Sequence, residues 1–268
     1  MSASTYDRII LAAQNLATAH HAPYDPSHDI HHVSRVTSLA LLIADSLSSS
    51  SSSSESTSSP PLDFLVIHLS ALFHDLLDSK YLPPLAPGSS YLTPRSRLEE
   101  PFWSKFTEEE ISQERRRLVE RIVENVSYSK EVKRMRGELG GITEWHRECR
   151  ELHCVQDADK LDAIGAFGIM RCAAYSAVSN RPLFAPSSSP STSSSSSTTL
   201  DQFPPRVEPG ADAISHFHDK LVKLEGMMKT EKGRELAKKR TERLKEFIGW
   251  AEEEWDEIEQ GRQRGTRR

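Results

Sequence analysis

Residues 65–81 read LVIHLSALFHDLLDSKY. Leu65, Val66, Leu69, Leu72, Phe73 and Leu76 recur at helical spacing, so the stretch predicts a helix with a broad apolar face. Set into that apolar run is the pair His74-Asp75. A carboxylate in such surroundings is costly unless an opposite charge meets it. A divalent cation is one such charge: imidazole and carboxylate together suit Mn²⁺, Fe²⁺, Co²⁺, Zn²⁺ or Mg²⁺. Neighbouring residues on a helix point about 100° apart, so both side chains reach one ion only from a terminal or side-on position. Two ligands do not complete a site, and the others must come from elsewhere in the chain.

Outward from this stretch the helical period dominates. Ile9, Ile10, Ala13, Leu16 and Ala17 mark a first helix, and Val33, Val36, Leu39, Ala40, Ile43 and Leu47 a second. Residues 108–126 read as a helix carrying Ile111, Leu118, Ile122 and Val123. Further helices are expected over 143–164 and 166–179, and two more within 211–260, meeting near 228–232. Pro83, Pro84, Pro87, Pro94 and Pro101 predict a loop over 83–105. No run alternates with period two and β-branched enrichment, so no strand is expected. The fold class is therefore all-α, a helical bundle.

Serine shapes the size of that bundle. Of 268 residues, 37 are serine, and twenty of them fall in 46–59 and 187–199. Such runs bury too little to offset the entropy of ordering them. They predict two disordered loop insertions, at 46–60 and 181–210. About 225–240 residues remain, enough for one large domain or two small ones. The expectation is one domain over 1–268, with the helical region 211–260 packed on it.

Charge and cysteine usage exclude other classes. Lys+Arg 34 against Asp+Glu 39 gives −5, which is no footprint for a nucleic-acid polymer. Cys149, Cys154 and Cys172 form no CxxC pair; they read as core residues in a reduced compartment. No apolar run approaches eighteen residues, so no membrane span is expected. The N-terminus lacks the cationic start and apolar block of a secretory signal. Cytoplasm is the default location, with the nucleus open.

Two more polar clusters stand out. One is His28-Asp29-Ile30-His31-His32-Val33-Ser34-Arg35-Val36, where His28 and His32 share a helical face and Arg35 lies about one turn on. The other is Gln156-Asp157-Ala158-Asp159-Lys160-Leu161-Asp162. Taken singly, His20, His21, His68, His146, His153, His216 and His218 read as packed or surface histidines, and Glu252, Glu253 and Glu254 as a solvated helix face.

Taken together, the clusters SHDIHHVSRV, ALFHDLLDSKY and QDADKLDAIGAFGI resemble the HD-domain metal-dependent phosphohydrolases, with their H…HD…D signature on an all-α scaffold. The blocks HDLLDSKY, ENVSY, QDADKLDAIGAFGI and HFHDKLVKLEGMMKTEKGRELAKKR resemble the YedJ/YpgQ-like subgroup and cover most of the chain. The resemblance implies a divalent metal (Mn, Fe, Co, Mg or Zn) held by His32, His74, Asp75 and Asp159, with Asp157 as the alternative to Asp159. It implies a small-molecule nucleotide substrate, a nucleoside triphosphate cut to monophosphate and pyrophosphate. The same fold supports cyclic-nucleotide or alarmone hydrolysis, and a non-catalytic nucleotide-binding sensor is the reading from another class. A homodimer is compatible with all of these.

Roles for further residues follow from the same chemistry. Asp78, four residues after His74, is placed to orient or deprotonate the attacking water; its other reading is a helix-end residue paired with Lys80. Arg35, Lys80, Lys160 and Lys220 are candidates to neutralise phosphate, with Arg234 and Arg240 behind them. His28 is expected beside the ligands or the substrate. Glu124 and Ser127 stand either near the substrate, as in relatives, or in a simple helix C-cap.

Overall fold

The first helix, α1 (Ala3–His21), is capped by Ser2, whose hydroxyl accepts the Thr5 N–H at 3.2 Å. In this computed structural model, residues 1–51, 60–77, 93–185, 208 and 210–265 are described. Among them there is no strand. After α1 come α2 (Ile30–Ser51), α3 (Phe64–Phe73), α4 (Pro94–Leu98), a 3₁₀ turn (Trp103–Lys105), α5 (Gln113–Asn125), α6 (Tyr128–Met135), α7 (Glu144–Glu148) and α8 (Arg150–Asp162). Then follow α9 (Gly165–Val178), α10 (Ala213–Asp219), a second 3₁₀ segment (Leu221–Met227) and α11 (Glu231–Gly265). The all-α class read from the sequence is the class observed. No single helix among the described residues is long and apolar enough to cross a membrane.

The chain divides into two compact units, Met1–Asp162 with Met228–Glu235, and Ala163–Met227 with Leu236–Arg268. In the first, α3 is central. It is buried nearly all round, as its uniformly apolar sequence requires. It packs on α1, α2, α5 and α8, and α2 also lies along α8. Asp63 starts α3 by accepting the Leu65 and Val66 N–H groups at 3.1 and 3.2 Å, and is itself held by Arg115 Nε at 2.6 Å.

Five sequence expectations change here. The first serine run does not end α2 just after Leu47: the helix continues to Ser51. A helix already nucleated by its apolar face extends through serines at little cost, and Ser49 Oγ donates to the Asp45 carbonyl at 2.9 Å. Residues 52–59 lie outside the described residues, as do 186–207 of the second insertion. The flanks of that second insertion are ordered, because Ala213 N–H donates to the Pro182 carbonyl at 3.0 Å.

The second change concerns 83–105. Residues 83–92 lie outside the described residues, but 93–105 form short helical turns that send Pro94, Leu98, Phe102 and Trp103 into the core. Pro94 occupies the first turn of α4, where its missing N–H costs nothing. Leu98, Phe102 and Trp103 are buried, and Phe73, Phe102 and Trp103 stack edge to face with centroids 4.8–6.5 Å apart. Proline density hid an aromatic anchor for the end of α3. Third, α5 starts at Gln113, where Ser112 caps the Arg115 N–H, rather than at 108. The helix α6 was not anticipated, and the 143–164 helix is broken at Cys149 into α7 and α8.

In the second unit Asp212 caps α10 through the Ser215 N–H at 2.7 Å, and Phe217 meets Phe247 edge to face at 5.9 Å. Gly165 has φ +71°, and a Cβ on Gly168 would lie 2.3 Å from the Ala163 carbonyl oxygen. The glycines of the GAFG segment thus answer to backbone geometry.

Candidate metal centre

His32 stands in the first turn of α2, its N–H capped by Asp29 Oδ1 at 2.9 Å. Its buried ring donates from Nδ1 to Asp162 Oδ2 at 2.7 Å. His74 is the first residue past α3, and its Nδ1 donates to the Ala71 carbonyl at 2.8 Å. Both partners are acceptors, so both rings carry hydrogen on Nδ1 and turn Nε2 toward the same point. The two Nε2 atoms face each other at 3.1 Å.

Two carboxylates close around that point. Asp75 Oδ2 lies 3.3 Å from His32 Nε2 and 3.4 Å from His74 Nε2. Asp159 Oδ1, from the third turn of α8, lies 3.7 and 3.9 Å from the same atoms. His32, His74 and Asp159 each offer a ligand atom within 4.8 Å of the others. Ligands about 2.1 Å from one ion stand roughly 3–4 Å apart, so the spacing fits. Asp75 Oδ2 is buried with no hydrogen-bond donor, the orphan that a cation would satisfy. The donor set of imidazoles and carboxylates suits a divalent transition ion or Mg²⁺.

The electrostatics agree. Burial opposes charge on His74, but Asp75 beside it, then Asp159, carry its imidazolium up to about 9. Burial likewise opposes charge on Asp75, yet His74 and His32 hold its carboxyl well below the usual range. Burial keeps nearby His20 neutral, down to about 4, and lowers His21 as well. The thiols of Cys149 and Cys154 are pushed up by burial to about 11 and about 12, as inert core residues should be.

No family model matches the chain. YpgQ of Bacillus subtilis (strain 168) is 29% identical over 223 residues, 82% of this chain and 81% of that protein. The crystal structure of B. subtilis YpgQ in complex with ADP superposes with a TM-score of 0.57 at 26% identity, over 90% of this chain and 97% of that one. The chain is thus similar to YpgQ in sequence and in fold over most of its length. An HD-superfamily hydrolase from Bacillus thuringiensis shares the fold with a TM-score of 0.59 at 22% identity, over 94% of this chain and 98% of that chain.

In this chain His32, His74, Asp75 and Asp159 meet at one point. Asp157 does not. Two residues back along α8 it points roughly 160° away, and it accepts the Lys229 N–H, the Thr230 N–H and the Thr230 hydroxyl at 2.8–3.0 Å. That clamp is tight: a Cβ on Gly233 would lie 2.4 Å from Asp157 Oδ2. Asp159 is therefore the carboxylate of this segment at the cluster.

Two expected phosphate contacts are committed elsewhere. Lys160, one residue past Asp159, turns about 100° from the cluster and is buried with Nζ 2.7 Å from Glu131 Oε2. Glu131, on α6, also pairs with Lys229 Nζ at 2.7 Å, and Lys229 donates to Gln156 Oε1. Arg35 reaches Asp162 through Nε at 2.7 Å and Nη2 at 3.0 Å. His28 is half-buried, its ring edge-on to His32 at 6.0 Å and its carbonyl bonded to His21 Nδ1. Glu124 is exposed in the last turn of α5, and Ser127 precedes α6 without capping it through its side chain. Lys220 belongs to the second unit. Asp78 and Lys80 lie outside the described residues.

Asp162 was not singled out by sequence reasoning. The signal was present: Asp159 and Asp162 are three apart, so both face α2.

Proposed function

We propose that this chain is a metal-dependent phosphohydrolase acting on a nucleotide, cutting a nucleoside triphosphate to monophosphate and pyrophosphate by attack of water. The observation that carries the proposal is the meeting of two facing Nε2 atoms with an orphaned, buried carboxylate oxygen of Asp75. His32, His74, Asp75 and Asp159 would hold the ion. A divalent ion so held supplies a lowered pKa for bound water and polarises a phosphoryl oxygen.

The chain's own residues prepare that chemistry. Ala71 and Asp162 fix which nitrogen of each imidazole is free. Asp159, whose side chain is 25% exposed, marks the side open to substrate, against 1% for the two histidines. We assign Asp78 to orient or deprotonate the attacking water and Lys80 to neutralise phosphate, from their places after the HD pair. His28, Glu124 and Ser127 are assigned as the further substrate contacts. Both units are read as parts of one HD-type domain. That YpgQ has been crystallised with ADP supports a nucleotide as the ligand class.

The test is a screen of the purified chain with Mn²⁺ or Co²⁺ against nucleoside triphosphates, cyclic nucleotides and alarmones, following phosphate and pyrophosphate release. Pyrophosphate release that Asp75→Ala abolishes is expected. Equal rates for the two proteins would sink the proposal, and nucleotide binding without turnover would favour the sensor reading.

A further inference from the structure

Each of the two helices that line the metal centre places a second polar residue one turn beyond its ligand. On α2 it is Arg35, three residues after His32; on α8 it is Asp162, three residues after Asp159. These two residues bind each other. Arg35 Nε meets Asp162 Oδ1 at 2.7 Å and Nη2 meets Oδ2 at 3.0 Å. The same Oδ2 accepts the His32 Nδ1–H at 2.7 Å. Arg35 is a quarter exposed and Asp162 is buried, so the series runs from solvent inward.

The chemistry of the series is directional. A buried carboxylate needs a compensating charge, and the Arg35 guanidinium supplies one. A carboxylate gripped by two guanidinium N–H groups stays an acceptor. As an acceptor it keeps the His32 hydrogen on Nδ1 and leaves Nε2 bare. Partners of this kind fix ring orientation at metal sites. We propose that Arg35 and Asp162 are a positioning pair for the metal centre: Arg35 acts through Asp162 on His32, and so governs cation binding before any substrate arrives. The spacing HxxR would otherwise read as a ligand followed by a phosphate-gripping arginine, and the geometry gives Arg35 a different task.

The proposal rests on the metal-centre reading above, and calorimetry with Mn²⁺ alone, without nucleotide, separates the two. Asp162→Ala is expected to weaken Mn²⁺ binding about 10–100-fold. Arg35→Ala should weaken it in the same direction, and Arg35→Lys should restore part of the loss. The double variant should bind no more weakly than Asp162→Ala, because the two act in series. Wild-type Mn²⁺ affinity in Arg35→Ala, with only KM for nucleotide raised, would make Arg35 a phosphate ligand and overturn the proposal. Independent, multiplying losses in the double variant would overturn it as well. A wild-type chain that binds no Mn²⁺ would overturn the metal-centre reading itself. Should Asp162→Ala not fold, ¹⁵N spectra of the His32 ring in Arg35→Ala decide: loss of the Nδ1–H form is expected, and its retention refutes the relay.

Discussion

Binding of a divalent ion should expel one proton from between two histidines. His32 and His74 have each given their Nδ1 hydrogen to an acceptor, and their Nε2 atoms stand 3.1 Å apart. Two lone pairs do not face each other at that distance without a cation between them. In the metal-free protein that cation is a proton: Asp75 and then Asp159 hold the charge of His74 up to about 9 despite burial. A metal needs the neutral imidazole, so proton and ion compete for the same nitrogen. From pH 7 to about 9 the apparent Mn²⁺ affinity should rise about 10-fold per pH unit, equivalent to roughly 1.4 kcal/mol each. The span amounts to about 100-fold. Calorimetric titrations at pH 7 in two buffers of different ionisation enthalpy should count about one proton released per ion. A flat affinity between pH 7 and 8.5 with no proton release would refute the reasoning, because it would mean that Nε2 of His74 is already bare.

Further outcomes follow from the same structure. The raised folded-state value of His74 means that its stabilising contribution is full below pH 6.5 and is lost as pH rises through about 9. The melting temperature of metal-free protein should fall over that window, by at most about 3 kcal/mol of stability, whereas Mn²⁺-loaded protein should not share the fall. Trp103→Ala removes a fully buried indole stacked on Phe102, and should cost about 3–5 kcal/mol in denaturant titration. Glu131→Ala leaves Lys160 buried without its partner 2.7 Å away, and should cost about 3–5 kcal/mol, partly recovered by Lys160→Met in the same chain.

The four residues that meet at the cluster were singled out through a resemblance carried by three short local motifs. His74-Asp75 ends an apolar helix, and Asp159 sits in a helix whose apolar residues are evident from their period. The helix order was legible for the same reason. What spacing does not carry is the choice among neighbours on one helix. Asp157, Asp159, Lys160 and Asp162 are all polar and all within six residues, and only the approach of α2, α6 and residues 229–230 sorts them into clamp, ligand, ion pair and positioning group. Lys160 and Arg35 read as phosphate contacts because their counter-charges, Glu131 and Asp162, lie far off in sequence. The 93–105 segment misled for a different reason: proline predicts where a helix cannot pass, and is silent about whether Phe102 and Trp103 between the prolines are buried.

The Asp157 clamp has a consequence for how the protein is made. Its carboxylate is buried on the helix that bears Asp159, and all three of its donors come from Lys229 and Thr230. Left without them, a buried acceptor of this kind costs several kcal/mol. During synthesis, residues 1–162 leave the ribosome first, and they cannot settle into their final arrangement until residue 230 has emerged. The second serine run lies within that interval, so it lengthens the wait of the helix bearing Asp159 for its last support.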